Sequence, residues 1–248
     1  MQTLHDYCQR SQLSLPAALE SQVQAHVTDL LGLMASSTAQ AVDWYYFVPQ
    51  LGEGGACSIF DALDPEPFDL ATRLGGINAA NLAMLQKLTV VAQWYQARSA
   101  SQWFGIYKKM PSGEGFSLVK MAYYGAPSRA EFPLTPEFAA ISNNSSVGLS
   151  GTARIINDVP AYLNQGGEYY TCDPKVLAEA CVPLFAEPRL ADAAFVSDGL
   201  ATQHGSNDAH IVGIVDAEAF TRDLYQADEL ALLAAVVLVV PAIFAGNV

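Results

Sequence analysis

The strongest constraint on the fold comes from two neighbouring segments that favour β-strands. Residues 102–109 and 116–124 are rich in aromatic and β-branched side chains. Between them stand Pro111, Ser112 and Gly113, which are residue types typical of turns. Two such segments joined by a short turn predict an antiparallel hairpin. We therefore expect an antiparallel sheet at the centre of the domain.

Helical patterns surround this hairpin. Apolar residues recur at helical spacing over residues 15–34 and 78–98, and another helix is expected to begin near Ala227. Further strands are predicted at residues 152–157 and 210–216, while residues 176–185 are mixed in character and end as a strand at residues 182–184. Strands that are grouped between helices, without βα alternation, indicate an α+β domain around an antiparallel sheet.

The remaining segments are less regular. Gly and Pro residues predict loops at residues 61–68 and 148–153. Residues 42–48 are aromatic and favour a short strand or a packed turn, and a turn or short helix is expected after Pro136. Residues 186–208 form a long insertion rich in Ala, Asp, Ser and Gly.

Composition limits the kinds of partner that suit this chain. With 51% hydrophobic and 15% charged residues, the chain can bury a core and is not disordered. The net charge is −13, and the 12 Lys and Arg residues form no basic run. Binding to nucleic acid or to an anionic membrane surface requires clustered positive charge. We therefore expect a small-molecule ligand, with neither nucleic acid nor membrane as a partner.

The N-terminus and the cysteines favour the cytoplasm. Residues 1–6 lack the basic stretch and apolar run of a secretory signal. Cys8, Cys57, Cys172 and Cys181 are few and irregularly spaced, which favours reduced thiols over a disulfide framework. The sequence contains no CxxC motif, so a metal site is not expected.

The longest apolar run covers residues 230–245 and contains Pro241. A membrane-spanning helix needs roughly 20 apolar residues, so this run is short. Asp228 and Glu229 precede it and suit the positive end of a helix dipole. The pattern predicts a terminal helix that is buried or forms a dimer, in preference to a membrane anchor.

The segment around Cys172 is the best candidate for chemistry. Asp173 follows the cysteine directly, and Glu179 lies seven residues after it. A thiol reacts as the thiolate, and neighbouring acids raise its pKa unless a base, a helix N-terminus or the substrate offsets them. An acid-rich cysteine site therefore suggests chemistry in which acids supply protons to the substrate. The alternative is that Cys172 is an ordinary, partly buried thiol.

Several short motifs occur in an order that resembles a GAF domain, the small-molecule-binding fold related to the PAS domain. They lie at residues 148–153, 155–159, 169–174, 179–184 and 211–216. The resemblance covers about residues 78–245 and implies a PAS-like central antiparallel sheet flanked by helices. On this basis we assign residues 76–248 to a GAF domain and residues 1–75 to an N-terminal helical or irregular extension.

Among GAF proteins, the chain is most similar to free methionine-(R)-sulfoxide reductase. Cys172 and Asp173 match the nucleophilic cysteine of that family and the acid after it, and Glu179 matches its substrate-binding glutamate. Asp216 and Glu218 match two acids that close its site, with Glu in place of the usual second Asp. The resemblance implies catalytic roles for Cys172, Glu179, Asp216 and Glu218. Solvated acids at a strand end are the alternative interpretation of the last two.

An aromatic pair extends the resemblance. Trp103 and Tyr107 match a Trp and a Tyr four residues apart on the first strand of the reductase. Residues i and i+4 of a strand share a face, so both rings are able to line an apolar wall for a thioether. The resemblance thus assigns ligand binding to Trp103, Tyr107 and Asp173. Plain core packing is the alternative for the two aromatic residues.

The chain departs from the reductase family in its other thiols. The family carries two further cysteines that resolve the oxidised nucleophile; Ser150 stands at one position, and residues 134–144 contain no cysteine for the other. Cys57 and Cys181 are substitutes only if they reach the pocket, and they are otherwise a loop thiol and a packing residue. Turnover then requires an external thiol reductant, and no bound cofactor is expected.

Two functional hypotheses follow. The first is a thiol-dependent free methionine-(R)-sulfoxide reductase. The second is a non-catalytic GAF module that binds a small ligand for signalling or dimerises through its flanking helices. Under either hypothesis we expect a cytoplasmic homodimer.

Overall fold

The computed structural model describes residues 2–38, 40–52, 58–167, 173–186 and 211–248. Ten strands lie in this part of the chain. They are β1 (Tyr45–Tyr46), β2 (Pro49–Leu51), β3 (Ser58–Leu63), β4 (Phe68–Asp69), β5 (Trp103–Ser112), β6 (Gly115–Tyr124), β7 (Glu131–Pro133), β8 (Arg154–Ile156), β9 (Ala178–Phe185) and β10 (Ile211–Ala219).

Helices precede, interrupt and follow these strands. They are α1 (Leu4–Ser11), α2 (Glu20–Ser36) after a short 3₁₀ turn, α3 (Leu70–Arg73), α4 (Ala79–Gln96), α5 (Pro136–Ala139), α6 (Asn143–Ser150), α7 (Val159–Asn164) and α8 (Ala227–Phe244).

Six of the strands form one antiparallel sheet in the order β7-β6-β5-β10-β9-β8. The two longest, β5 and β6, are the predicted hairpin. The other described strands make two small ribbons, β1 with β4 and β2 with β3. The α+β architecture expected from the sequence is therefore confirmed.

The sheet separates an apolar core from a more polar face. Along β10, Val215, Ala217 and Ala219 pack into the main hydrophobic core with α2, α4 and α8. The alternating residues Asp216 and Glu218 point to the opposite face, because successive side chains of a strand alternate. Helix α6 packs on that second face, against β9 and β10.

Helix α8 is apolar on all sides because it lies inside the core. By length and composition it is able to cross a membrane, but 78% of it is buried within the structure, as expected of a core helix. Glu229 in its first turn accepts hydrogen bonds from Ser99 Oγ (2.8 Å) and from the Ala100 backbone N–H (2.9 Å). The acid thus ties the start of α8 to the turn between α4 and β5.

The N-terminal segment shares this core. Val23, Val27 and Leu30 of α2 are buried in the same cluster as α8. Tyr7 of α1 donates a hydrogen bond to the Pro183 carbonyl of β9 at 3.0 Å. Residues 1–75 therefore contribute to the packing of the sheet domain.

Most predicted elements have the expected type. Helix 78–98 is α4, and the strand predicted at 152–157 is the edge strand β8. Two loop predictions were wrong in part. Residues 148–150 of the predicted loop 148–153 belong to α6, which has Ser142 as its N-cap, whereas residues 151–153 are irregular as expected. Residues 61–63 and 68 lie in β3 and β4, and only residues 64–67 of the predicted loop 61–68 connect them. Helix α6 forms in spite of Gly148 because its packing against β9 and β10 outweighs the weak helix propensity of glycine. Most of the 186–208 insertion lies outside the described residues.

The shared core generates a prediction about folding. Replacing the fully buried Leu30 with Ala is expected to destabilise the whole protein by about 2–5 kcal/mol, because it leaves a cavity between α2 and α8. Thermal unfolding followed by circular dichroism would show one transition at a lower Tm. Leu33→Ala on the same helix is the control, since Leu33 is 38% exposed and should cost less than about 1 kcal/mol. An unchanged main transition in Leu30→Ala would mean that α2 unfolds independently.

Candidate functional site

A cavity of about 320 Å³ opens on the polar face of the sheet. Its volume lies at the lower end of the range for small-molecule sites. Six residues that the sequence singled out line this one cavity, and they are Trp103, Tyr107, Asp173, Glu179, Asp216 and Glu218. Because they come from β5, β9, β10 and the segment before β9, only the folded sheet brings them together.

The strand register places the carboxylates side by side. Glu179 on β9 lies directly opposite Glu218 on β10, and Asp216 lies opposite Cys181. Directly opposed residues have Cβ atoms about 4.5–5.5 Å apart, so the two glutamates face each other across the ladder. Glu179 and Asp216 are almost completely buried, whereas Glu218 is partly accessible from the cavity that it lines.

Two asparagines at the start of α6 hold the buried acids. Asn143 Nδ2 donates to Glu179 Oε1 at 3.1 Å, and Asn144 Nδ2 donates to Asp216 Oδ2 at 3.0 Å. Arg154 of β8 donates to Asn143 Oδ1 at 2.8 Å and so orients that amide toward Glu179. The positive end of α6 lies beside the acids as well, which favours negative charge there.

Burial and mutual repulsion raise the pKa values of two acids in this cluster. Burial raises the pKa of Asp216 well above its ordinary value, and Glu179 and Glu218 raise it further, while the hydrogen bond from Asn144 opposes them. Burial, then Glu179 and Asp173, raise the pKa of Glu218 to about 8. Glu218 therefore holds a proton at neutral pH and is able to donate it.

One oxygen of the cluster has no partner among the described residues. Asp216 Oδ1 is buried and accepts no hydrogen bond there. A buried acceptor without a donor is costly, and a ligand ammonium group or a shared proton would satisfy it. The cavity thus presents an acceptor that suits a cationic ligand group.

Two aromatic rings form the floor of the cavity over β5. The centroids of Trp103 and Tyr107 are 6.4 Å apart on one face of the strand, with Gly105 between them. A Cβ atom at Gly105 would lie 2.4 Å from the Trp103 ring, so only glycine lets this ring lie across the strand. The polar ends of both rings are used elsewhere: Trp103 Nε1 donates to the Ala126 carbonyl at 3.1 Å and Tyr107 Oη to the Arg129 carbonyl at 3.2 Å.

Asp173 is a described cavity residue that follows the candidate nucleophile in the sequence. Its Oδ1 accepts a hydrogen bond from the Lys175 backbone N–H at 2.8 Å, and its side chain lines the cavity. Cys172 and Cys57 both lie outside the described residues.

Cys8 and Cys181, the other thiols in the described ranges, are not among the residues that line the cavity. Cys181 is fully buried in a cluster that includes Ile214, and burial and Asp216 raise the pKa of its thiol well above the ordinary value. It is a packing residue, as one of the two interpretations predicted. Ser150 is exposed at the end of α6. Within the described part of the chain, no cysteine is among the residues that line the cavity.

Some site residues were not found from the sequence. Asn143, Asn144 and Arg154 support the acids, and Phe132 and Phe220 add apolar wall. The only sequence signal was the polar run 142–146 between apolar residues, which resembles a surface turn. No group of His, Cys, Asp and Glu in the described ranges is arranged to hold a metal ion.

The raised pKa of Glu218 predicts the pH dependence of stability. An acid with a higher pKa in the folded than in the unfolded state favours folding at low pH, and this contribution is lost as pH rises from about 4.5 to about 8. Glu218→Gln should therefore raise Tm at pH 8 by at least about 2 °C and flatten its fall between pH 5 and 8. Thermal melts over this range would measure the effect.

The exposed Glu114→Gln variant makes the same change in net charge at the turn between β5 and β6 and serves as the control. Identical pH profiles for the two variants would contradict the assignment of a raised pKa to Glu218.

Comparison with known proteins adds information on the fold. The sequence matches no protein-family model and no curated protein. Among solved structures, free methionine-R-sulfoxide reductase from Neisseria meningitidis, solved with its substrate, is 15% identical with a TM-score of 0.48 and covers 66% of this chain and 79% of its own. The type II enzyme from Thermoplasma acidophilum is 14% identical with a TM-score of 0.48 and covers 68% and 96%.

A GAF domain covers more of the chain. The GAF domain of a phosphoenolpyruvate-protein phosphotransferase from Coxiella burnetii covers 91% of this chain and 94% of its own, with 9% identity and a TM-score of 0.51. At such low identity the likeness concerns the fold alone. Together with the six-stranded antiparallel sheet and its flanking helices, it shows that the chain has a GAF-like fold.

Proposed function

We propose that the cavity binds a small molecule carrying a protonated amine, and that the chain uses Cys172 to reduce free methionine-(R)-sulfoxide. The observation that carries this proposal is the convergence of Glu179, Asp216 and Glu218 with Trp103 and Tyr107 on one cavity. Three acids that repel one another in a partly enclosed cavity favour a cationic ligand between them.

The two ends of the ligand suit different walls. The carboxylates, including the unpaired Asp216 Oδ1, would accept hydrogen bonds from an ammonium group. Trp103, Tyr107 and Phe132 offer apolar ring surface to a thioether chain. An amino acid with a short sulfur-containing side chain combines both features.

Cys172 is proposed as the nucleophile because it directly precedes Asp173, which lines the cavity. Consecutive Cα atoms are only about 3.8 Å apart, which supports Cys172 over the thiols that lie farther from Asp173 in the sequence. In the proposed reaction the thiolate attacks the sulfoxide sulfur and forms an S–S bond, and the sulfoxide oxygen is protonated. This oxygen then bonds to the cysteine sulfur as the S–O and S–S bonds break. The products are the free thioether and a cysteine sulfenic acid.

A proton has to reach the sulfoxide oxygen as the S–O bond weakens. Glu218 suits this role because its pKa of about 8 keeps it protonated at neutral pH. The sulfenic acid then condenses with an external thiol, releasing water and forming a mixed disulfide. A second thiol reduces that disulfide and restores Cys172.

Turnover is the first test of this proposal. Purified protein with dithiothreitol should consume free methionine-(R)-sulfoxide, measured as methionine formed by chromatography. N-acetylmethionine-(R)-sulfoxide should react at least about 10²-fold more slowly, because it lacks the ammonium group that the acids would bind. Equal reduction of both compounds would contradict ammonium recognition, and no reduction of either would contradict the enzymatic proposal.

Cysteine variants separate the thiols by role. Cys172→Ser should lower kcat/KM at least about 10³-fold, since serine is no substitute for the thiolate. Cys8→Ser and Cys181→Ala should retain turnover, because neither residue lines the cavity. Loss of activity in Cys181→Ala with an unchanged Tm would instead identify Cys181 as the reacting or resolving thiol.

A non-catalytic ligand-binding module is the second candidate. It is favoured by the exposed Ser150, which stands where the reductase family has a resolving thiol. In this case the cavity binds an amino acid without converting it. Calorimetric binding of methionine to the wild-type protein, with binding weakened at least about tenfold in Asp216→Asn and no turnover, would support it.

A further inference from the structure

Lys120 of β6 is fully buried, which is rare for lysine unless its charge is paired. Its ammonium group donates hydrogen bonds to the Ser128 carbonyl at 2.8 Å and to Ser128 Oγ at 2.7 Å. The same nitrogen lies 4.0 Å from the ring centroid of Tyr123 and 5.0 Å from that of Tyr46. A buried cation held by two rings and two oxygens occupies one defined place.

Ser128 belongs to a loop that forms one wall of the cavity. The loop joins β6 to β7, and its residues 126–129 line the cavity. Lys120 also binds this loop through its backbone, because its N–H donates to the Ala130 carbonyl at 2.8 Å. Lys120 therefore binds the loop twice, through its side chain at Ser128 and through its backbone at Ala130.

The two aromatic residues of the cavity floor also form hydrogen bonds to this loop. Trp103 Nε1 binds the Ala126 carbonyl and Tyr107 Oη binds the Arg129 carbonyl. At the start of the loop, Gly125 has a φ of +103°, and a Cβ there would lie 2.7 Å from the Gln102 carbonyl. Successive contacts thus hold the loop against β5. Lys120 supplies the hydrogen bonds from a charged donor.

Lys120 further connects the wall to the N-terminal part of the chain. The hydroxyl of Tyr46, in β1, donates to the Lys120 carbonyl at 2.8 Å. Pro49, Ala62 and Leu63 from the following ribbon also line the cavity. Displacement of Lys120 would therefore disturb two walls together.

We propose that Lys120 is a positioning residue of the cavity. It fixes the loop 126–129 in the place where this loop forms a wall of the ligand cavity, and it keeps a positive charge beside the acid cluster. The ligand-related part of this inference rests on the proposed function, whereas the positioning of the loop does not.

The charge of Lys120 acts on Glu218. Burial, Glu179 and Asp173 raise the pKa of Glu218, and Lys120 is the cation that lowers it. Asp216 lies two residues from Glu218 on the same face of β10, and Glu218 raises the pKa of Asp216. Without Lys120, Glu179 and Asp173 would act on Glu218 without that opposing charge.

The experiment compares Lys120→Met with Lys109→Met, which removes the same charge from the partly exposed part of β5. Hydrogen–deuterium exchange of the ligand-free proteins would follow amides 125–130, with α4 as the internal reference. NMR of carboxyl-labelled glutamate would follow the titration of Glu218. Lys120→Met should speed exchange of the loop at least about tenfold more than that of α4 and should raise the pKa of Glu218. Lys109→Met should do neither.

Ser128→Ala tests the contact while keeping the lysine. It removes Ser128 Oγ, one of the two oxygens that accept hydrogen bonds from the Lys120 ammonium group. Hydrogen–deuterium exchange of the loop should therefore rise by less than in Lys120→Met. The titration of Glu218 should stay unchanged because the lysine is kept. This variant also covers the case in which Lys120→Met fails to fold.

Two results would overturn the inference. One is unchanged loop exchange in both Lys120→Met and Ser128→Ala; the other is an equal rise in the loop and in α4, which indicates general destabilisation. Because these measurements need no ligand, absence of turnover in the wild type would refute the reductase proposal without affecting them. If the wild type turns over, Lys120→Met should raise KM at least about tenfold with kcat changed less than threefold.

Discussion

Two glutamates face each other across neighbouring strands, and the polar side of the molecule is organised around this repulsive pair. Glu179 and Glu218 are opposed in register, and Asp216 lies two residues from Glu218 on the same face. Opposed like charges destabilise a sheet unless protons, donors or cations compensate. The compensation comes from a proton on Glu218, from Asn143 and Asn144, and from the charge of Lys120.

The sheet allows such a cluster because its other face packs into the main hydrophobic core. Helices α4 and α8 pack on that face, and α2 packs on both of these helices. The small residues Ala217 and Ala219 of β10 belong to the same core. The main core therefore supplies the stability that the charged face lacks. A protein with an ordinary apolar core is able to maintain a costly acid cluster because the two lie on opposite sides of the same strands.

The cavity is assembled from remote parts of the chain. Its floor comes from β5, its acids from β9 and β10, one wall from the loop before β7, and another from the ribbon of β2 and β3. Residues before the sheet are part of this arrangement, since Tyr46 contacts Lys120 and Pro49 lines the cavity. Changes in the N-terminal segment are thus expected to affect the site as well as stability.

The sequence alone predicted the hairpin and the antiparallel sheet between helices, because strand and turn patterns are set within a few residues of chain. The acids and aromatic residues that line the cavity were singled out by the resemblance to the reductase family. The sequence did not reveal α6, Asn143, Asn144 or Lys120, because Gly and Asn disfavour helices in isolation and a lysine on a strand resembles a surface residue.

Only the tertiary structure decided that Glu179 faces Glu218, that Cys181 is a packing thiol, and that Lys120 is buried beside the wall loop. The physical reason is that strand register, burial and the electrostatic field depend on residues far apart in the chain, whose contacts exist only after folding.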